Sequence, residues 1–303
     1  MLPRDWSRWA TYIRNKTAFY IRDIFQWDDV DLTDLDNWIA NFPDELGKYI
    51  AMQLLYRFIY WSERDVKRLL RHGVYKVLLY SAVLDTVARS RFDARAAARR
   101  RFGRELLATM IFCPLLDRNK PSESGNVLCR HLNRDIGIIS DQIVQPFELA
   151  GFGRRGVVIL DDFIGSGQQI IDFWTKPKTQ GEALCDLAAK NDLNVAYLCL
   201  VATRYGLNRI YREAPGLKVL CCEELDDTYR VFHVPSSFFG SEENVREARE
   251  YLNRLCASRD VPLLGFHGLD FAVAFHYAIP DATLPLFFYD NVGWKPLMRR
   301  RKG

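Results

Sequence analysis

Between residues 33 and 79, apolar side chains recur every three or four positions, the period of a helix with one buried face. Thr33 is expected to cap a short helix running through Trp38 and Phe42. Pro43 and Asp44 open a second, with Leu46, Ile50, Leu54, Leu55, Phe58 and Ile59 along its apolar side. Ser62, with Asp65 three positions on, forms a partial capping box, because Glu or Gln is the usual partner there. Val66, Leu69, Leu70, Val74, Val77, Leu78 and Leu79 continue the helical spacing. Short helices joined by tight turns fit a helix-turn-helix or winged-helix module, and fit a plain docking bundle nearly as well.

The pattern changes after Arg104. Four apolar runs, 107–115, 156–164, 193–201 and 217–222, have the length and composition of buried strands. Helical stretches at 127–133, 168–175, 182–191 and 205–213 alternate with them. That alternation predicts a mostly parallel sheet with helices on both faces. Such sheets bind ligands in the loops beyond their strand ends, here 117–126, 161–169 and 202–207. The expected division is therefore a helical N-terminal module, 1–104, and an α/β domain, 105–303.

Composition adds class limits. At 303 residues, 49% hydrophobic and 26% charged, the chain is an ordinary globular sequence of about two domains, neither collagen-like nor disordered. Its longest apolar runs fall short of the ~20 residues of a membrane span, and the opening residues lack a signal-peptide core, so a cytoplasmic protein is expected. The seven cysteines (113, 129, 185, 199, 221, 222, 256) follow no ligand spacing, and no metal site is expected; Cys129 and His131 form the one close pair. The net charge of +4 hides an asymmetry: residues 1–104 carry +6 and the remainder −2. Seven arginines crowd between 89 and 104, Arg99, Arg100 and Arg101 among them. Arginines this dense neutralise phosphates, which makes them a nucleic-acid or partner contact; the other reading is a solvated helix face.

Two glycine clusters differ in context. Gly151 to Gly156 spells G-x-G-x-x-G but precedes a strand, whereas a dinucleotide fingerprint follows one and opens a helix. The second is correctly placed: strand 157–160, Asp161-Asp162, two apolar residues, Gly165-Ser166-Gly167-Gln168-Gln169, then a helix. As helix caps the two acids stand too early, and the Asp-x-Asp spacing of an aspartyl nucleophile is absent. Adjacent carboxylates at a strand end suit vicinal hydroxyls, and a Gly-Ser-Gly turn at a helix start suits a phosphate, which together describe a ribose 5-phosphate site. In the loop after the first strand, Arg118, Lys120, Ser122, Ser124 and Gly125 have the chemistry for a pyrophosphate.

Residues 157–169 resemble the phosphoribosyl-pyrophosphate signature of type I phosphoribosyltransferases, departing at Gln168-Gln169 where Gly-Thr is usual. The resemblance implies an α/β fold with a mostly parallel sheet, preceded by an all-α, winged-helix-like module. It implies that Asp161 and Asp162 hold the ribose hydroxyls, that Gly165, Ser166, Gly167, Gln168 and Gln169 cradle the 5-phosphate, and that Mg2+ arrives mainly through the substrate. Pro262 to Phe266, Ala272 to His276, Pro280 to Pro285 and Trp294 to Leu297 look like the carboxyl end of a bacterial conflict-system branch. That likeness implies an anti-phage, retron-associated effector working beside a reverse transcriptase. The alternative is a non-catalytic module that uses the same pocket to sense a nucleotide.

Overall fold

The computed structural model describes residues 2–82, 103, 105–116, 124–151, 156–177 and 181–300. Two compact units emerge: 1–64 with 225–302, and 65–224. Within the first, strand β1 (Ile59–Trp61) pairs in parallel with β2 (Val273–Phe275) from much later in the chain.

The first unit is helical at its start. Helices α1 (Trp6–Arg22), α2 (Leu32–Ala40) and α3 (Glu45–Arg57) precede β1. Asp31, not Thr33, caps α2, accepting from the amide of Asp34 at 2.7 Å. Asp44 caps α3 as expected, but α3 stops at Arg57 and Ile59 enters the strand. Among the described residues of 2–82 the single strand, β1, takes a parallel partner, so no winged-helix hairpin forms there. A 17-residue helix, α4 (Glu242–Ser258), returns to the same core. Trp38 and Trp294, both fully buried, donate their indole N–H groups to Leu286 O at 2.8 and 2.9 Å, which satisfies the polar edge of each large ring.

The second unit is built on four strands: β3 (Met110–Pro114), β4 (Gly156–Ile164), β5 (Asn194–Thr203) and β6 (Lys218–Leu225), in that spatial order. β3 pairs in parallel with β4, and β4 with β5. A parallel bridge joins Ile143 to Phe112 on the outer side of β3, and the Val144 amide donates to Phe112 O at 2.9 Å. The chain thus leaves β3, crosses outward to residue 143, and returns on the other side as β4. That reversal makes the β3/β4 boundary a topological switch point, where α/β sheets open a crevice.

Helices α5 (Ser124–His131), α6 (Gln168–Thr175), α7 (Leu184–Lys190) and α8 (Arg204–Glu213) connect the strands. Val157 and Ile159 of β4 and Val195, Tyr197 and Cys199 of β5 form one buried sheet face with Ile170, Phe173, Leu184 and Ile210. Phe112, Val158, Leu160 and Leu198 are buried on the other face. Gly73 lies so close there that a Cβ would stand 2.8 Å from Cys222 Sγ and 3.4 Å from a Leu198 methyl. Residues expected in the N-terminal module thus line the α/β unit. Among the described residues no helix is long and apolar enough to cross a membrane.

Candidate functional site

The apolar run of β4 carries Asp161 and Asp162 to the strand's carboxyl end, and both are buried. Side chains alternate along a strand, so neighbouring acids part company. Asp161 continues the face of Val157 and Ile159, where its Oδ2 accepts from the Tyr197 hydroxyl at 2.7 Å. Its Oδ1 accepts from the Asp162 amide at 3.0 Å. Asp162 Oδ1 accepts from Ser124 Oγ at 2.9 Å. Ser124 opens α5, so the end of the expected pyrophosphate loop meets the acid pair at the switch point between β3 and β4.

Burial, and then repulsion from Asp162, push the Asp161 carboxyl well above the ordinary carboxylate range. The hydrogen bonds from Tyr197 and the Asp162 amide pull it back only in part. Burial followed by the charge of Asp161 raises the Tyr197 phenol as well.

The glycine loop follows directly. Gly167 is left-handed (φ 74°) and caps α6. A Cβ there would meet Ile210 Cγ1 at 2.8 Å, so both backbone angle and helix packing require glycine. Gly165 does not adopt positive φ. Among the described residues, the amides of Ser166 and Gly167 have no backbone acceptor, as an anion-binding turn requires. Gln168 turns its side chain along α6, donating to Asp172 Oδ1 at 2.7 Å and accepting from Arg209 at 2.9 Å, while Gln169 is exposed. Neither glutamine side chain fills the loop.

The third expected loop supports the second. Thr203, fully buried, donates to Gly165 O at 2.5 Å and accepts from the Gly206 amide at 2.9 Å. Gly206 has no room for a side chain: a Cβ would stand 2.4 Å from Gly165 O. Arg209 donates to Ser166 O at 3.0 Å and is braced by Glu213 at 2.9 Å. Sequence reasoning missed Tyr197, Thr203 and Arg209, which carry no local motif and lie 36, 38 and 43 residues from their partners. Gly125 is likewise held by packing, since a Cβ would lie 2.9 Å from Pro114 Cβ.

A family model described as PRTase-CE matches residues 35–300, the site included. The chain belongs to the PRTase-CE family. Its α/β fold with a parallel sheet is accordingly phosphoribosyltransferase-like. No curated protein matches this PRTase-CE chain. Among solved structures it is similar to a hypothetical protein from Neisseria gonorrhoeae with bound ppGpp (10% identity, 56% of this chain and 84% of that one, TM-score 0.29). It is also similar to the AQ2163 protein from Aquifex aeolicus (11% identity, 64% and 83%, TM-score 0.30). A third is adenine phosphoribosyltransferase from Thermoanaerobacter pseudethanolicus (15% identity, 43% and 83%, TM-score 0.26).

Arg118, Lys120 and Ser122 of the expected pyrophosphate loop, and Arg99, Arg100 and Arg101, lie outside the described residues. So do residues 152–155 of the first glycine cluster, whose Gly156 begins β4. The seven cysteines are free thiols; burial raises Cys129 to about 12, and His131 is engaged by Asp135 at 2.8 Å. Among the described residues no group of three or more His, Cys, Asp or Glu is placed to hold a metal.

Proposed function

We propose that the crevice between β3 and β4 binds the ribose 5-phosphate portion of phosphoribosyl pyrophosphate or of a nucleotide. The observation that carries this reading is the Ser124–Asp162 contact, which joins the start of α5 to the acid pair a few residues ahead of the glycine loop. Asp162 is the carboxylate on the crevice side and receives a ribose hydroxyl. The amides of Ser166 and Gly167 and the start of α6 receive the 5-phosphate. Asp161, turned the other way and capped by Tyr197, fixes the position of that strand end.

The donor set fits a magnesium ion carried mainly by the ligand's own oxygens, with Asp162 as the protein's oxygen donor; bound there, it would neutralise pyrophosphate charge. In a transferase reaction the C1–pyrophosphate bond breaks as a nucleophile joins C1, and the protein's part is to hold the ribose and stabilise the leaving group. A nucleotide sensor is the second reading, favoured by both acids already accepting protein hydroxyls. The anti-phage effector role beside a reverse transcriptase goes with either and rests on the sequence resemblance.

The test is ligand-induced stabilisation. With Mg2+, ribose 5-phosphate or phosphoribosyl pyrophosphate at about 100 times its dissociation constant adds about 2.7 kcal/mol of folding stability. Asp162→Asn should abolish the thermal shift. A shift of unchanged size in that variant refutes the assignment. Pyrophosphate release from phosphoribosyl pyrophosphate separates the transferase from the sensor.

A further inference from the structure

A different surface, in the other compact unit, has no part in this chemistry. Helix α1 carries four cations, Arg8, Arg14, Lys16 and Arg22, and no carboxylate over its 17 residues. Helix α3 adds Lys48 and Arg57 against Glu45 alone. Arg14 is paired with Asp36 and Arg22 with its neighbour Asp23. Arg8, Tyr12, Lys16 and Phe19 follow one another at four, four and three residues, so cation and ring alternate down one side of the helix.

The rings are presented to solvent. Tyr12 is 60% exposed, Phe19 47% and Tyr56 39%. The Lys16 ammonium is held over Tyr56 at 4.8 Å and over Tyr20 at 5.6 Å. The Arg57 guanidinium also lies over Tyr56, 5.1 Å from the ring centre. Trp9 continues the aromatic surface, 5.5 Å from Tyr49 and 6.0 Å from Tyr56. Arg8 and Lys16 stand about 12 Å apart along the axis, with Tyr12 midway between them.

We propose that the α1–α3 face binds single-stranded nucleic acid. Its chemistry supplies the two elements such binding needs: cations for the phosphates, and exposed ring faces on which unpaired bases stack without regard to sequence. Cations alone would suit a duplex or an acidic protein equally. Rings set between the cations favour a ligand whose bases are free to leave the stack, and the excess of cations over carboxylates on α1 and α3 complements a polyanion. The cation–π contacts hold Lys16 in place before any ligand arrives, so less freedom is lost on binding.

The test uses the full chain, a fluorescent oligothymidine and a duplex of equal length, read by anisotropy across a salt series. Wild type should bind the single strand with an affinity that falls as salt rises. Tyr12→Ala with Phe19→Ala should weaken that binding by about tenfold or more, leave duplex affinity within about twofold, and preserve the circular dichroism spectrum. Lys16→Glu, a surface change that does not depend on ring removal, should weaken binding and lower the log–log salt slope by about 0.7 for each phosphate the side chain no longer neutralises. Absence of salt-dependent binding to the single strand overturns the proposal. So does binding that survives both variants, including binding abolished only by Arg99→Ala/Arg100→Ala/Arg101→Ala. Preference for an acidic peptide or anionic vesicles over the oligonucleotide overturns it equally. None of these outcomes depends on the ribose 5-phosphate site.

Discussion

Replacing Asp161 with Asn should stabilise the unliganded protein increasingly as pH rises. The carboxyl sits fully inside the α6 face of the sheet, beside a second carboxyl, and its proton affinity is raised by both. Below the unfolded value of 3.8, folded and unfolded chains both carry the proton, and the contribution of this group to stability is fully present. Above it the unfolded chain releases the proton while the folded protein keeps it. Wild type therefore loses about 1.4 kcal/mol per pH unit until the folded carboxyl itself titrates. The Asp161→Asn side chain has no proton to lose, so the gap between variant and wild type opens over that interval. At about 2–4 °C per kcal/mol for a unit of this size, the difference in melting temperature should widen by roughly 3–6 °C per pH unit above about pH 4, until the folded carboxyl titrates. The amide that replaces the carboxyl keeps one acceptor for the Asp162 N–H and still meets the Tyr197 hydroxyl; any cost of that exchange is a constant offset, so the slope carries the test. Scanning calorimetry of both proteins without ligand, from about pH 4 to 8, measures it. A gap that is flat, or that narrows as pH rises, would refute a raised Asp161 and with it the account of the strand end.

Gly167→Ala should cost more stability than Gly137→Ala in urea melts: both positions have positive φ (74° and 87°), but only at 167 does a Cβ strike Ile210. Its excess should reach about 1–3 kcal/mol, the range of core overpacking, so this glycine serves folding as well as ligand binding. Thr203→Val, which leaves Gly165 O and the Gly206 amide without their hydroxyl, should destabilise by about 1–3 kcal/mol in the same assay; a neutral outcome would mean the loop is anchored elsewhere. Arg209→Ala should leave Ser166 O unpaired and weaken ribose 5-phosphate binding in calorimetric titrations, with Arg209→Lys failing to restore it, because one ammonium does not reproduce a fork that spans Ser166 O and Gln168 Oε1.

The parts of the site legible in the sequence are those written in one contiguous stretch. A buried strand, two acids, a glycine turn and a helix follow one another over residues 157–175, and local chemistry alone orders them as the structure does. The strands at 110–114 and 194–203 are legible as buried apolar runs, although 107–109 of the first expected run is helical. Strand 218–225 is only half-buried and carries exposed Glu223 and Glu224, so the run 217–222 marks its place but not its extent. Helix α1 is harder to read: its buried positions, Ile13, Thr17 and Ile21, keep a four-residue spacing, but a threonine among them and exposed aromatics elsewhere blur the pattern. Tertiary structure alone decided what each acid does. Strand alternation sends Asp161 and Asp162 to opposite faces, and their partners, Tyr197 and Ser124, come from segments whose proximity only the sheet order creates. It also decided the division of the chain: β1 pairs with β2 from near the other terminus, so the first 64 residues share a core with the segment from 225 onward. Helical periodicity fixes which face of a segment is apolar but leaves open which other segment covers it, because burial of apolar area is non-directional and many partners would serve.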